Sequence, residues 1–228
     1  MPHELDLKQE FVTYLARYER PVFELWGAGA TIAKNMYNAF LPFGVPLSNF
    51  QLASVLPNAS EPIVTVKLGD VGTCKFAYDR TEAVFANFNE EFFAQIPSVL
   101  AASTSWLHAT VPTLKISSHS FVWYSHSLLK SGNGMDYLKQ LNPKRLSSGG
   151  VNLGTGLIYN FLVPTNQWKT QLMLDNSAVI PNGLFLNLTI NIKADKLDYD
   201  KIMQESREYL GSLLQELDLQ LPELGRQL

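Results

Sequence analysis

Leu184-Phe185-Leu186-Asn187-Leu188-Thr189-Ile190-Asn191-Ile192-Lys193 alternates strictly between an apolar set and a mixed one. A period of two sends Leu184, Leu186, Leu188, Ile190 and Ile192 to one side of a β-strand and the other five residues to the opposite side. The chain then changes period. Ile202, Tyr209, Leu210, Leu213, Leu214 and Leu217 fall on one helical stripe, with Glu205, Arg207, Glu208 and Glu216 largely off it. This switch predicts a closing helix over 198–217 that buries its stripe on the sheet to which the strand belongs, which sets the fold class as α+β.

Working outward, residues 114–127 read as extended, Gly132-Asn133-Gly134 breaks the pattern, and a short helix over 135–141 stops at Asn142-Pro143. Strands are expected at 151–163 and 167–174. The first half offers the same order. A leading helix is expected over 5–18 from the spacing of Leu7, Phe11, Tyr14, Leu15 and Tyr18, and a strand over 22–26. After Gly27-Ala28-Gly29, the residues Ile32, Met36, Phe40 and Leu41 recur at helical spacing up to Pro42. Strands follow at 50–56, 63–68 and 71–78, the last two joined at Gly69-Asp70, a type II′ hairpin signal. A long helix then reads as starting at the capping pair Asp79 and Glu82, with Val84, Phe85, Phe88, Phe92, Ile96 and Val99 as its core stripe.

The expected architecture is therefore two tandem strand-helix-three-strand-helix units forming a curved antiparallel sheet with long helices on one face. Its divisions are a leading helix at 1–20, a first half at 21–104 and a second at 105–228, with a hinge near 101–112 and one shared core. The halves show little sequence identity, so the expectation is a repeated topology.

This order of elements, with Val22-Phe23-Glu24-Leu25, Asp136-Tyr137-Leu138 and the Leu-rich closing helix, resembles a sporadically distributed, functionally uncharacterised family of bacterial proteins over most of 20–217. The resemblance implies no activity. The order is also similar in topology to the saddle of TATA-binding proteins and to cavity-forming lipid-binding α+β folds.

The 228 residues are 46% apolar and 17% charged, enough to build a core and too apolar for disorder. With 18 Lys+Arg against 21 Asp+Glu, the net charge of −3 argues against nucleic acid as a partner. One cysteine, Cys74, excludes an intrachain disulfide and a multi-thiolate metal site, and reads as buried. An acidic start without an apolar signal region and the lack of a membrane-length apolar run predict a cytoplasmic protein with no membrane partner.

Chemistry is sparse. Gly27-Ala28-Gly29-Ala30-Thr31-Ile32 has Ile at the third glycine position of a dinucleotide fingerprint and no acidic residue after the next strand. The Gly-rich run at 147–156 lacks the Lys-Ser/Thr ending of a phosphate loop, so no cofactor is expected. His119 and His126 are seven residues apart on an extended segment, which sends them to opposite faces and prevents them from sharing a metal. The serines of this segment sit in no nucleophile elbow. The densest signal is Phe121-Val122-Trp123-Tyr124, apolar on both faces of a strand and hence covered on both. Phe121, Trp123, Tyr124, His119 and His126 are the ligand or interface candidates. The expectation is a non-catalytic module that binds a small apolar ligand or a protein partner. A homo-oligomeric assembly protein and an enzyme with a loop-built site are the alternatives.

Overall fold

The N-terminal segment decides how the sheet is built. In the computed structural model, which describes residues 2–27, 29–53, 61–86, 88–141 and 156–222, His3–Tyr18 is a strand, β1, and the expected leading helix does not exist. Leu5, Leu7, Val12, Tyr14, Ala16 and Tyr18 are buried along it. The helical reading arose because burial changes parity along the strand, from Leu5 and Leu7 at odd positions to Val12, Tyr14, Ala16 and Tyr18 at even ones. Leu7, Tyr14 and Tyr18 are thus all buried, while Phe11 and Leu15 lie half-buried on the other face and complete a false helical stripe. The Val and Tyr content of 12–18 favours the extended form.

The expected strand over 22–26 is likewise replaced, by a turn and a short helix α1, Glu24–Gly27, ahead of α2, Gly29–Phe40. Pro21 supplies no N–H, and the Val22 N–H bonds to the Tyr78 carbonyl while its own carbonyl accepts from Leu25 N–H in a turn. Inward-facing Ile32, Met36 and Phe40 of α2 match their predicted periodicity.

An antiparallel meander follows: β2 (Phe50–Leu52), β3 (Val64–Lys67), β4 (Gly72–Phe76) and β5 (Arg80–Ala86). Gly69 has φ +60 in the β3–β4 turn, as its predicted hairpin position requires. The helix expected from Asp79 instead begins as β5. Arg80 explains the misreading: its Nε donates to Glu82 at 2.6 Å and its Nη1 to Asp79 at 2.8 Å. The two carboxylates thus fasten a hairpin tip rather than a helix end. Thr81, Ala83 and Phe85 point inward from this strand.

The helix itself, α3, is Glu90–Thr110, capped by Asn89, whose Oδ1 accepts from Phe92 N–H at 2.8 Å. It runs through the expected boundary at 104/105 and through most of the expected hinge. The Ser and Thr residues that suggested a linker return their hydroxyls to carbonyls of the preceding turn, Ser103 to Val99 at 2.8 Å and Thr110 to Trp106 at 2.8 Å.

The second half follows its prediction closely. It contains β6 (Ile116–Leu129), α4 (Gly134–Leu141), β7 (Leu157–Val163), β8 (Trp168–Asn176), β9 (Leu184–Ile192), α5 (Tyr199–Glu216) and a short β10 (Leu219–Gln220). The first residues of the expected 151–163 strand and nearly all of the Gly-rich run lie outside the described residues. The strand order is β2-β3-β4-β5-β1-β6-β9-β8-β7, and β10 pairs in parallel with the start of β1. The fold is α+β, as the alternation of periods requires. No helix of the described residues is long and apolar enough to cross a membrane.

The compact units do not follow the sequence halves. One comprises the described residues of 1–11, 122–190 and 205–228, the other 12–121 and 191–204. The reason is the length of β1 and β6, 16 and 14 residues, each of which serves both units. In the second unit, α3 covers β4 and β5: Trp106 meets Phe76 edge-on at 4.8 Å, Phe92 approaches Phe85 at 6.0 Å, and Cys74 Sγ lies 3.6 Å from Ser103 Oγ. In the first, Leu210, Leu213 and Leu214 of α5 are buried, together with Leu172 of β8 and Leu186 and Leu188 of β9.

Candidate functional site

Strand β6 carries all five sequence-nominated residues, and its alternation divides them. His119, Phe121, Trp123, Ser125, Ser127 and Leu129 are buried, while the even-numbered residues between them are half-buried. His119, Phe121 and Trp123 therefore share the inner side, with Tyr124 and His126 on the outer one. The expectation that the two histidines lie on opposite faces is met.

The inner side is filled. Phe121 packs on Tyr14 with centroids 5.0 Å apart. The Trp123 Nε1–H donates to Ser206 Oγ of α5 at 3.1 Å. The space left beside Trp123, lined by Glu10, Ser125, Leu186, Leu188 and Leu210 among others, is about 10 Å³. That is at the threshold for one water and far below the space an apolar ligand needs. Burial raises the Glu10 carboxyl above its ordinary range, and the Arg207 guanidinium opposes this.

His119 belongs to a buried polar chain. Its Nδ1 shares a hydrogen bond with Tyr14 Oη at 2.8 Å, Tyr14 Oη shares one with Tyr199 Oη at 2.9 Å, and the Tyr199 hydroxyl donates to Thr104 Oγ1 at 3.5 Å. Burial pushes the imidazole down to about 4, against smaller opposing effects of the Ala194 backbone and the Asp195 carboxylate. Burial also raises Tyr14 and Tyr199. All three are neutral at physiological pH, so the chain is a structural network of hydrogen bonds. Tyr199 and Thr104 also line a cleft of about 240 Å³, together with Ser105, His108, Asp195 and Lys196 among others. Asp195 Oδ1 accepts from Ile116 N–H at 3.0 Å. This cleft can offer hydroxyl, imidazole and ammonium donors to a small polar molecule. The sequence reading missed it because its residues come from α3, the start of β6, the loop after β9 and the first residue of α5, with no local pattern to join them. Among the described residues, no group of three or more His, Cys, Asp or Glu side chains could hold a metal ion.

The outer side is an aromatic strip. Phe11 stacks on Tyr124 at 4.6 Å with an interplanar angle of 11°, Tyr124 lies 6.3 Å from Phe185, and Phe185 lies 5.0 Å from His126. His126 Nδ1 meets Ser177 Oγ at 2.9 Å. Ser177 Oγ also accepts from the Val179 N–H at 3.2 Å and the Ile180 N–H at 2.8 Å, which fixes it in place beside the imidazole. Partial burial raises Tyr124 and lowers His126. All four rings are half-buried. Phe11 was hidden by the helical reading of 5–18, and Phe185 by its place in an otherwise polar face.

Cys74 is buried, and its thiol is pushed up to about 12 by burial, which leaves it unreactive at neutral pH. No known protein family matches the chain, and no curated protein matches it either. Residue roles therefore rest on the geometry above.

Proposed function

We propose that the protein is a non-catalytic binding module that engages a protein partner through the outer side of β6. One observation carries this reading: the packed side of Trp123 has room for about one water, whereas Phe11, Tyr124, Phe185 and His126 form a continuous half-exposed strip on the opposite side. Among the described residues, the space beside Trp123 is too small to enclose an apolar ligand. Aromatic rings held in place by stacking lose little side-chain freedom on docking, and Tyr in particular combines apolar area with a polar tip, the composition of interface anchors. The rim supports the same reading, because Asn187 and Thr189 beside Phe185 can satisfy a partner's backbone groups without introducing charge.

The test is co-purification from cells that carry the protein, with wild type and Tyr124→Ala compared in parallel. A stoichiometric protein retained by wild type and lost from the folded variant supports the reading. Equal recovery by both overturns it, as does saturable uptake of an apolar fluorescent probe by wild type that disappears in Trp123→Ala.

A further inference from the structure

Among the described residues the sheet ends at β7, which pairs with β8 along one edge only. Its sequence, Leu157-Ile158-Tyr159-Asn160-Phe161-Leu162-Val163, has no charge and no proline, the devices that ordinarily keep an edge strand from pairing further. Its side chains are also exposed: Ile158 by 59%, Leu162 by 58% and Phe161 by 37%. A strand edge presents a row of backbone donors and acceptors, so its natural complement is another strand.

The sequence indicates which one. Read outward from Asn160, β7 is a palindrome in chemistry: Tyr159 mirrors Phe161, Ile158 mirrors Leu162, and Leu157 mirrors Val163. Antiparallel pairing of two copies about a twofold axis at Asn160 sets aromatic on aromatic, aliphatic on aliphatic and amide on amide. A slip of one residue sets Asn160 against an aromatic ring, Tyr159 or Phe161, and an aromatic against an aliphatic beside it, and opposes residues from different faces. The register with β8 shows that the matched pairs would also share faces. Tyr159 and Phe161 lie on the side of Leu172 and Thr170, while Ile158 and Leu162 lie on the side of Met173 and Lys169. Asn160 Oδ1 accepts from Gln171 Nε2 at 3.0 Å, and its amide N–H groups donate to nothing among the described residues. They are available to the Asn160 of a second copy.

We propose that two copies of this chain pair through β7, antiparallel and with Asn160 opposite Asn160, to extend the sheet across a twofold axis. This surface is separate from the aromatic strip of Phe11 and Tyr124. The contact is one short ladder with its flanking side chains, smaller than a standard stable interface, so dissociation falls in the micromolar range.

The experiment is light scattering of the full chain up to tens of micromolar, combined with oxidative cross-linking. Directly opposed antiparallel residues have Cα atoms about 4.5–5.5 Å apart, within reach of a disulfide. Asn160→Cys should therefore give a covalent dimer at least about tenfold faster than Gln171→Cys, which lies on the neighbouring strand. Buried Cys74 supplies no competing thiol. Asn160→Lys, which brings two ammonium groups together on the axis, should leave a folded monomer. Wild type that stays monomeric throughout overturns the proposal. So does a dimer that survives Asn160→Lys, or equal cross-linking at Asn160 and Gln171.

Discussion

Phe11 and Tyr124 lie face to face, with ring centroids 4.6 Å apart and planes 11° from parallel, on the side of the sheet away from α5. The two residues come from different strands, so the stack ties β1 to β6 through side chains as well as backbone. Such a pair is worth about 0.5–1.5 kcal/mol beyond the area it buries. Phe11→Ala and Tyr124→Ala should each cost about 1–2 kcal/mol, and the double variant should cost about 1 kcal/mol less than their sum. Urea denaturation of the four proteins measures this. Trp123→Ala, on the filled side of the same strand, should cost about 3–5 kcal/mol. Additive losses at Phe11 and Tyr124 would show that the rings act independently.

His119 makes acid stability sensitive to one imidazole. The folded protein holds it at about 4, against 6.5 for an unperturbed histidine. Below 6.5 the unfolded chain takes up a proton that the folded one refuses, so this contribution to stability is complete above 6.5 and is lost progressively as the pH falls towards 4. The total loss is about 3 kcal/mol. The melting temperature of His119→Gln should fall less steeply across this window than that of wild type. Glu10 acts in the opposite sense, because its raised carboxyl favours the folded state once protonated. Glu10→Gln should therefore steepen the acid decline.

Two glycines should respond to alanine in opposite directions. A Cβ on Gly134 would stand 2.9 Å from the Asn182 carbonyl oxygen and 3.0 Å from the Gly183 carbonyl carbon, both backbone atoms. Gly134→Ala must push α4 away from the turn before β9, at a cost of about 1–3 kcal/mol. A Cβ on Gly211, inside α5, meets nothing within 4 Å. Gly211→Ala should stabilise the helix by about 1 kcal/mol. Thermal melts of the two variants on either side of wild type would bear this out, whereas loss of stability in both would overturn the assignment at Gly211.

A single apolar face makes β9 and α5 legible from sequence, whereas the apolar residues on both sides of β1 mislead. β9 and α5 have a single buried side, and their periods were unambiguous. β1 carries Phe11 and Leu15 on its outer side, and those two residues turned a strand into an apparent helix. At 79–82, composition misled in another way: Asp79 and Glu82 have the chemistry of a helix cap, but Arg80 between them takes both carboxylates. All five candidate residues were legible as one strand and as a two-sided one. Their partners were not, because Phe11, Tyr14, Ser177, Phe185 and Tyr199 reach β6 only through the folding of distant segments. Phe121 and Trp123 both lie on the inner side, so the informative comparison across the strand is Trp123 with Tyr124.

Burial of Cys74 beneath Ser103 gives the molecule an internal clock. The lone thiol is sealed by α3, so a thiol reagent can register only those moments when the helix lifts from β4. With reclosing faster than modification, the rate of modification, followed in native buffer and then in rising urea, reads the fraction of time spent open. If α3 leaves only when the whole fold melts, the labelling free energy should equal that of global unfolding. A lower value would identify α3 as a separately opening piece of the protein.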